Sequence, residues 1–590
     1  MTNEGVKIRY GDVAPEAKEN FVPAVGAGQA AEFVDLAQLQ QYNLKFPGYA
    51  NPCDYGSVLL DGKSEPFPEE PESAALGLWS KAISGADGSF SAPVVLTLTV
   101  PNHGQYSSQG ITLTFDTDNN IFCKALNIQW YRYQAESGQY VLLTDEDGDA
   151  LSVDFTPDSA FYFCRKKVEN YNRLVITFSK LNMPYNRLKL RAIDYGYGTY
   201  FYGDELRNVS VMQALNPISS ELCVNSVDFT LDSKSDMEYS FQSKQPLSVY
   251  FDGKLRATTF VSKSKRLSKQ MWRVESEDYI GQLAKLTFMG GMYDNQNAAN
   301  LLTKIFAQAK IPLTMAASLS AKTITGYIPI CSCREAVQLI CFAIGAVCHT
   351  AGSDTVKIYE LSNDITWQIP LSRIRQGQSF EESERVTQVR VTAHSYKKND
   401  ESLVAYDASV SGTGDNILVQ FSEPLHSLSI TGGEILSDAE GAPQSSANYA
   451  VIKATSVSCK LSGKKYTDIA AVHVKNNPDV SAGDLENLVE ITDVGLVNPS
   501  NVNDVVTRVF REAVKQTTTH FTVSEGKQRV RYGEALYGKT KYGQWNFDES
   551  LEVGDVITTE TEYLGSITGR AVSLRYTLNG GLLLKECELQ

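Results

Sequence analysis

The sequence predicts a mainly β protein, a β-rich α+β chain that opens with a β-sandwich and later adds a few packed helices. Three observations predict it. Segments such as "ITLTFD" and "SVDFTLDS" alternate apolar and polar residues with a period of two, β-branched and aromatic residues crowd those segments, and Gly, Pro, Asn or Asp interrupts them at short intervals. Few stretches show the wider spacing of a helix face.

A chain of 590 residues exceeds one core and divides into roughly three or four domains. With 42% hydrophobic and 21% charged residues, burial can offset the entropy of ordering most of it. The longest apolar runs, such as "LICFAIGAVC", are about half of what a bilayer crossing requires, and "MTNEGVKIRYGD" lacks the parts of a secretion signal. Synthesis in a cytoplasm, without a membrane segment, is the expectation. A formal charge of -15 argues against a sequence-independent grip on nucleic acid, which depends on cations displacing counterions from phosphate. The basic segment "SKSKRLSK" (262–269) has no interleaved aromatics and reads as a solvated hairpin turn.

Residues 1–52, rich in Ala, Gln and Gly around "AVGAGQAAEFVDLAQLQQY", read as an arm or linker with at most one helix. Residues 53–207 read as a jelly-roll β-sandwich: "PVVLTLTV", "GITLTFDTDN", "ALNIQWYRY", "RLVITFSKL" and "RLKLRAIDYG" are strands, and Ile111, Leu113 and Phe115 mark the face that meets the core. Trp130, Tyr131 and Tyr133 are candidates for a sugar platform, because an aromatic ring can stack on the apolar side of a pyranose. Their strand puts aromatics on both faces, which equally suits core and interface positions. The acidic turn "TDEDGD" (144–149) lacks the glycine and the bidentate glutamate of a full calcium loop and reads as solvated.

Residues 208–378 open with "SVDFTLDS", whose Val227, Phe229 and Leu231 share a face, and with "LSVYFDGKLRATTFV", a hairpin turning at Asp252-Gly253. In "NAANLLTKIFAQAKIP", Leu301, Leu302, Ile305 and Phe306 form a helical stripe that Pro312 ends. "IPICSCREAVQLICFAIGAVCH" (328–349) holds four cysteines and a histidine. Ser332 and Glu335 have capping-box spacing, so a helix is expected to run to about Val347. Cys333 and Cys341 then lie about 12 Å apart along its axis, too far to share a zinc ion held at about 2.3 Å. Cys341 and Cys348 therefore read as small hydrophobes in a packed helix, and the ten dispersed cysteines as reduced thiols. The unit reads as a β-barrel or curled sheet with two packed helices.

Residues 379–590 carry an insertion at about 425–500, then a helix in "NDVVTRVFREAVKQ". In "VRYGEALYGKTKYGQWNF", Tyr532, Tyr537 and Tyr542 each precede Gly; with Trp545 they could form a glycan-binding strip, or a glycine-rich loop between subunits.

The succession "SVDFTLDS … YSFQSKQPLSVYFDGKL", "VESEDYIGQLAKLTFMGGMY" and "GYIPICSCREAVQLICFAIGAVCHTAGSDTVKIYEL" resembles the tail hub proteins of bacteriophages of Gram-positive bacteria, most clearly over 208–378. "QSFEESERVTQVRVTAHSY" and "LEVGDVITTETEYLGSITGRAVSLRYTLNGGLLLKECEL" resemble the second barrel of such hubs more weakly. The sandwich resembles the discoidin-like or galactose-binding jelly rolls attached to many tail proteins. The resemblance implies two hub barrels per subunit, a homotrimer closing a pseudo-hexameric ring, and a place in the virion at the tail tip or baseplate. It also implies tube proteins above, spike, tape-measure or receptor-binding proteins below or around, and DNA passing through the lumen without specific binding. It carries over no catalytic residue, cofactor or metal.

The six histidines (103, 349, 394, 426, 473 and 520) form no HExxH pair and none follows a GxSxG elbow, so no enzyme is expected. A carbohydrate-binding adhesin of the tail tip is the alternative. A cell-wall hydrolase using two of the 69 acidic residues is the third reading.

Overall fold

The computed structural model describes residues 6–13, 17, 20–30, 49–50, 65–66, 77–117, 119–145, 148–202, 205–233, 241–251, 254–371, 378–409, 414, 416–437, 443–481, 485–515, 517–523, 551–561, 565–579 and 582–590. The chain forms two compact units. The first is Ile8–Phe201 with Lys244–Leu247, and the second is mainly Tyr202–Ser243 with Ser248–Gln590. Both are mainly β, as the alternating segments predict.

In the first unit, β1 (Val6–Val13) is almost wholly buried and β2 (Val22–Val25) pairs with the sandwich. Nine strands follow: β3 (Leu78–Ile83), β4 (Ser89–Thr99), β5 (Tyr106–Phe115), β6 (Cys123–Gln134), β7 (Gln139–Leu142), β8 (Ser152–Phe155), β9 (Phe161–Tyr171), β10 (Arg173–Leu181) and β11 (Arg187–Asp194). One sheet runs β8-β6-β10-β4-β2 with β7 beside β6, and the other runs β9-β5-β11-β3. Apart from β6, β7 and β8, which stay in one sheet, successive strands from β3 to β11 alternate between layers, and the side chains that point inward from both layers make one core.

Ile111, Leu113 and Phe115 are fully buried there, facing Ile128, Trp130, Leu174, Ile176 and Phe178. The N-terminal segment departs from the expected arm. Ile8, Tyr10 and Phe21 are fully buried, Phe21 stacks on Tyr195 with ring centroids 4.4 Å apart, and Arg9 pairs with buried Asp194. Within this segment β2 gains its partner at the sandwich edge, pairing with β4 from Val22↔Thr99 to Val25↔Leu96, whereas β1 lies in a different sheet.

The second unit begins with an antiparallel series: β12 (Leu206–Ala214), β13 (Ser226–Asp232), β14 (Lys254–Arg266) and β15 (Met271–Glu277). Val227, Phe229 and Leu231 are buried as their spacing predicts. The β14–β15 hairpin turns within the basic segment, whose residues are largely exposed. The turn expected at Asp252-Gly253 lies outside the described residues.

Asp278 caps α1 (Tyr279–Leu283), and Asn297 caps α2 (Ala298–Ala309), whose Leu301, Leu302, Ile305 and Phe306 are buried before Lys310 ends it in the left-handed conformation. After β16 (Thr323–Ile328), α3 (Cys333–Ile344) starts at Ser332, whose Oγ accepts the Glu335 N–H at 3.1 Å. The helix stops three residues short of the expected Val347, because Gly345 takes φ 77° as its left-handed cap. Val347–His349 is instead strand β17, paired with β18 (Val356–Tyr359). β-Branched and small residues after a glycine favour the strand once a partner is present.

Beyond these lies a long ribbon. β19 (Gln388–Ser409) pairs along its length with β21 (Ser458–Asn476), and β20 (Leu425–Thr431) and β22 (Leu488–Ile491) complete that sheet as β20-β21-β19-β22. On its covered face, Val389, Val391 and Ala393 pack with α4 (Val502–Ala513), whose Val502, Val505, Val506 and Val509 join the core that α1, α2 and α3 share. At the start of the insertion and just before it, Asn416–Gln420, Gly433–Ile435 and Tyr449–Ala454 form a small sheet over its own core of Val419, Ile452 and Leu461. Strand β23 (Gly565–Asn579), the last but one, returns to pair with β12, from Val209↔Leu578 to Ala214↔Ser573. The two regions read in sequence as successive barrels thus share one sheet.

A close approach fixes one glycine. Gly326 in β16 has φ 137°, and a Cβ there would lie 2.1 Å from the Gly495 carbonyl oxygen. Gly326→Ala is expected to cost at least about 1–3 kcal/mol. A lowered midpoint in urea unfolding of the full chain checks it; an unchanged midpoint would refute the contact.

Candidate functional site

The cysteine-rich stretch is core. Cys333, Cys341 and Cys348 are buried, and Cys331 is partly buried. Burial pushes the Cys341 thiol up to about 12, does the same to Cys331, and holds Cys348 well above the ordinary thiol value. Thiolate chemistry is disfavoured at each. Among the described residues, no three His, Cys, Asp or Glu side chains gather as a metal site.

Beside that stretch lies a buried polar network that spacing does not reveal. Asp278 accepts from Ile280 N at 3.0 Å, from Gly281 N at 3.2 Å and from Thr350 Oγ1 at 2.6 Å; Asn225 Nδ2 donates to the same threonine oxygen at 2.9 Å. Desolvation outweighs these bonds and raises the Asp278 carboxyl to about 6. His349 accepts from Ala351 N through Nδ1 at 3.1 Å, which puts its proton on Nε2, 2.9 Å from the Tyr359 hydroxyl. Burial, with Lys357 nearby, pushes its pKa down to about 3. The Asp278 bonds tie the start of α1 to Thr350, and the His349–Tyr359 bond joins β17 to β18.

The aromatic candidates divide by face. Trp130 is fully buried in the sandwich core, so it presents no ring to a ligand; Leu126, Ile128 and Trp130 of β6 point inward. Tyr131 and Tyr133 point outward. On that outer face, Thr99, Arg173, Tyr131 and Leu142 lie side by side across four strands. Thr97, Val175, Gln129 and Ser152 form the next row, and Val95, Thr177, Asn127 and Asp154 the one after. At the tip of the face, Tyr133 stacks on His103 with centroids 3.6 Å apart and meets Tyr140 edge-on, while the Arg173 guanidinium lies 3.4 Å over the Tyr140 ring. Tyr532, Tyr537, Tyr542 and Trp545 lie outside the described residues.

The second unit offers a different surface. β20 pairs with β21 only as far as Lys465, so from Tyr466 to Asn476 β21 has β19 on one side and, among the described residues, no strand on the other. Ile469, Val472 and Val474 on that length are 45%, 61% and 51% exposed. A shallow groove of about 390 Å³ beside it is lined by Gln388, Arg390, Thr392, Val472, Val474, Glu490 and Thr492. Arg390 is 3.1 Å from Glu490 and 3.6 Å from Glu486, and His394 bonds Asp468 at 2.8 Å and the Thr492 carbonyl at 2.9 Å. The charged groups here pair with one another rather than converge on a vacant centre.

No protein-family model and no curated protein matches the chain. Among solved structures, it is similar to a tail protein from Neisseria meningitidis MC58 at 12% identity and TM-score 0.40, covering 66% of this chain and 93% of that one. A 43 kDa tail protein of prophage MuSo2 from Shewanella oneidensis is similar at 10% identity and TM-score 0.41, covering 66% and 95%. Prophage tail protein gp18 from Listeria monocytogenes EGD-e is similar at 10% identity and TM-score 0.36, covering 66% and 90%.

Proposed function

We propose that this chain is a non-enzymatic structural hub of a phage-type tail tip or baseplate. Three copies would close a ring that continues the tail tube, joins it to tip, spike or receptor-binding parts, and lets DNA pass. The observation that carries this reading is the open edge of β21. Among the described residues no strand pairs with this edge, and its backbone N–H and C=O groups beside exposed Ile469, Val472 and Val474 invite a strand from another chain, since a folded protein ordinarily blocks such an edge. The residue pattern of 208–378 supports the assignment to tails, and a formal charge of -15 suits a lumen that repels DNA. The non-enzymatic reading draws on His349 and His394, whose ring nitrogens are both bonded within the fold.

Mass photometry and negative-stain imaging of the full chain test it. A trimer with a central pore is expected, and the double variant Ile469→Lys, Val472→Lys should yield monomers with an unfolding midpoint within about 2 °C of wild type, since both side chains are exposed. A poreless monomer for wild type, or a trimer that survives both lysines, would sink the proposal.

A further inference from the structure

From the outer face of the six-stranded sheet we infer a binding site for a neutral, pyranose-containing polysaccharide, centred on Tyr131. The first observation is charge. In the three rows described above, the charged side chains are Arg173 and Asp154, one of each sign, and both are tied down. Asn127 Nδ2 donates to Asp154 Oδ1 at 2.8 Å, and Arg173 Nε donates to Thr99 Oγ1 at 3.1 Å while its plane covers Tyr140. A solvated sheet face ordinarily carries many long charged side chains. Here methyl, hydroxyl, amide and phenol groups take their place, a composition that offers little to a polyanion and matches a polymer whose only polar groups are hydroxyls.

The second observation is pre-organisation. Tyr131 Oη donates to Gln129 Oε1 at 2.8 Å, two residues back on the same face, so the ring leans along β6 and turns a side toward solvent. Gln129 Nε2 donates to Ser152 Oγ at 3.2 Å, and Ser152 Oγ to Asn127 Oδ1 at 3.3 Å. The outcome is an aromatic floor continued by a hydrogen-bonded row of amides and hydroxyls. A pyranose stacks its axial C–H groups on such a floor, and its equatorial hydroxyls both donate and accept, as Asn and Gln amides do. The stack of His103, Tyr133 and Tyr140 closes one end as a wall. Little side-chain freedom remains to be lost on binding.

Affinity electrophoresis of the full chain tests this in native gels cast with galactomannan, mixed-linkage β-glucan or mannan, with alginate as the charged comparison. At least one neutral polymer should retard the protein and alginate should not. Tyr131→Ala and Gln129→Ala should each weaken retardation about tenfold, whereas Tyr131→Phe should keep most of it. The site is overturned if no neutral polymer retards the chain, if Tyr131→Ala binds like wild type, or if alginate retards it equally. It is also overturned if Tyr131→Lys changes the mass of the assembly, which would make the face a protein contact. Since the ring is read by mass and this site by retardation, either can fail without the other.

Discussion

Replacing Trp130 by alanine is expected to destabilise the first unit by about 3–5 kcal/mol, the range for emptying a buried aromatic site. The indole is fully buried between the two sheets, among the largest side chains of that core, so its removal leaves a cavity that the two layers are poorly placed to close. Tyr131→Ala, one residue along the same strand, should cost under about 1 kcal/mol because it removes a ring from the outer face. Trp130→Phe should recover much of the loss, since Trp130 Nε1 has no hydrogen-bond partner and its burial already carries a desolvation cost. Limited proteolysis of the full chain under graded urea reads this out: the alanine variant should be cut within residues 77–201 at much lower urea than wild type or Tyr131→Ala. Equal resistance of the Trp130 and Tyr131 alanine variants would show that the assigned faces are wrong.

Asp278 and His349 should give the second unit opposed pH dependences. For Asp278 the folded carboxyl titrates at about 6 against an ordinary 3.8, so the folded state binds the proton more readily than the unfolded chain. Its contribution to stability is fully present below 3.8 and lost as pH rises through 6. For His349 the folded value is about 3 against an ordinary 6.5, so the folded state holds the neutral ring. That contribution is present above 6.5 and lost as pH falls towards 3. Between pH 6 and 4 the two slopes, each about 1.4 kcal/mol per pH unit, nearly cancel.

Removing one group exposes the other. Relative to wild type, Asp278→Asn should lose stability by about 1.4 kcal/mol for each unit that pH falls below 6, and His349→Gln should gain by a similar amount. Urea unfolding of the full chain at pH 7.5, 6 and 4.5 measures both differences. Variant-minus-wild-type differences that do not change with pH would refute the linkage.

The helices and strands were legible where one local signal sufficed. The stripe of Leu301, Leu302, Ile305 and Phe306, the Ser332 cap, and the alternation of Ile111, Leu113 and Phe115 each report a face directly, because side-chain direction follows backbone period. Two things were not legible. Strand β2 needed the edge of β4 to pair with, and β23 reaches β12 across most of the second unit. The role of the aromatic run was half legible: period two predicts that Trp130 and Tyr131 oppose each other, but not which of them faces the core.

What the amino-acid sequence determined by itself is the β-rich class, the helices and the burial of the cysteine-rich stretch. Each depends on a local repeat or on composition. Tertiary structure alone decided which edge of β21 stays open, which aromatics reach the surface, and that Asp278, Thr350 and Asn225 meet in the interior. These depend on contacts between segments far apart in the chain, and a pattern with a period of two or of about 3.6 residues states a direction for each side chain without naming what it will meet.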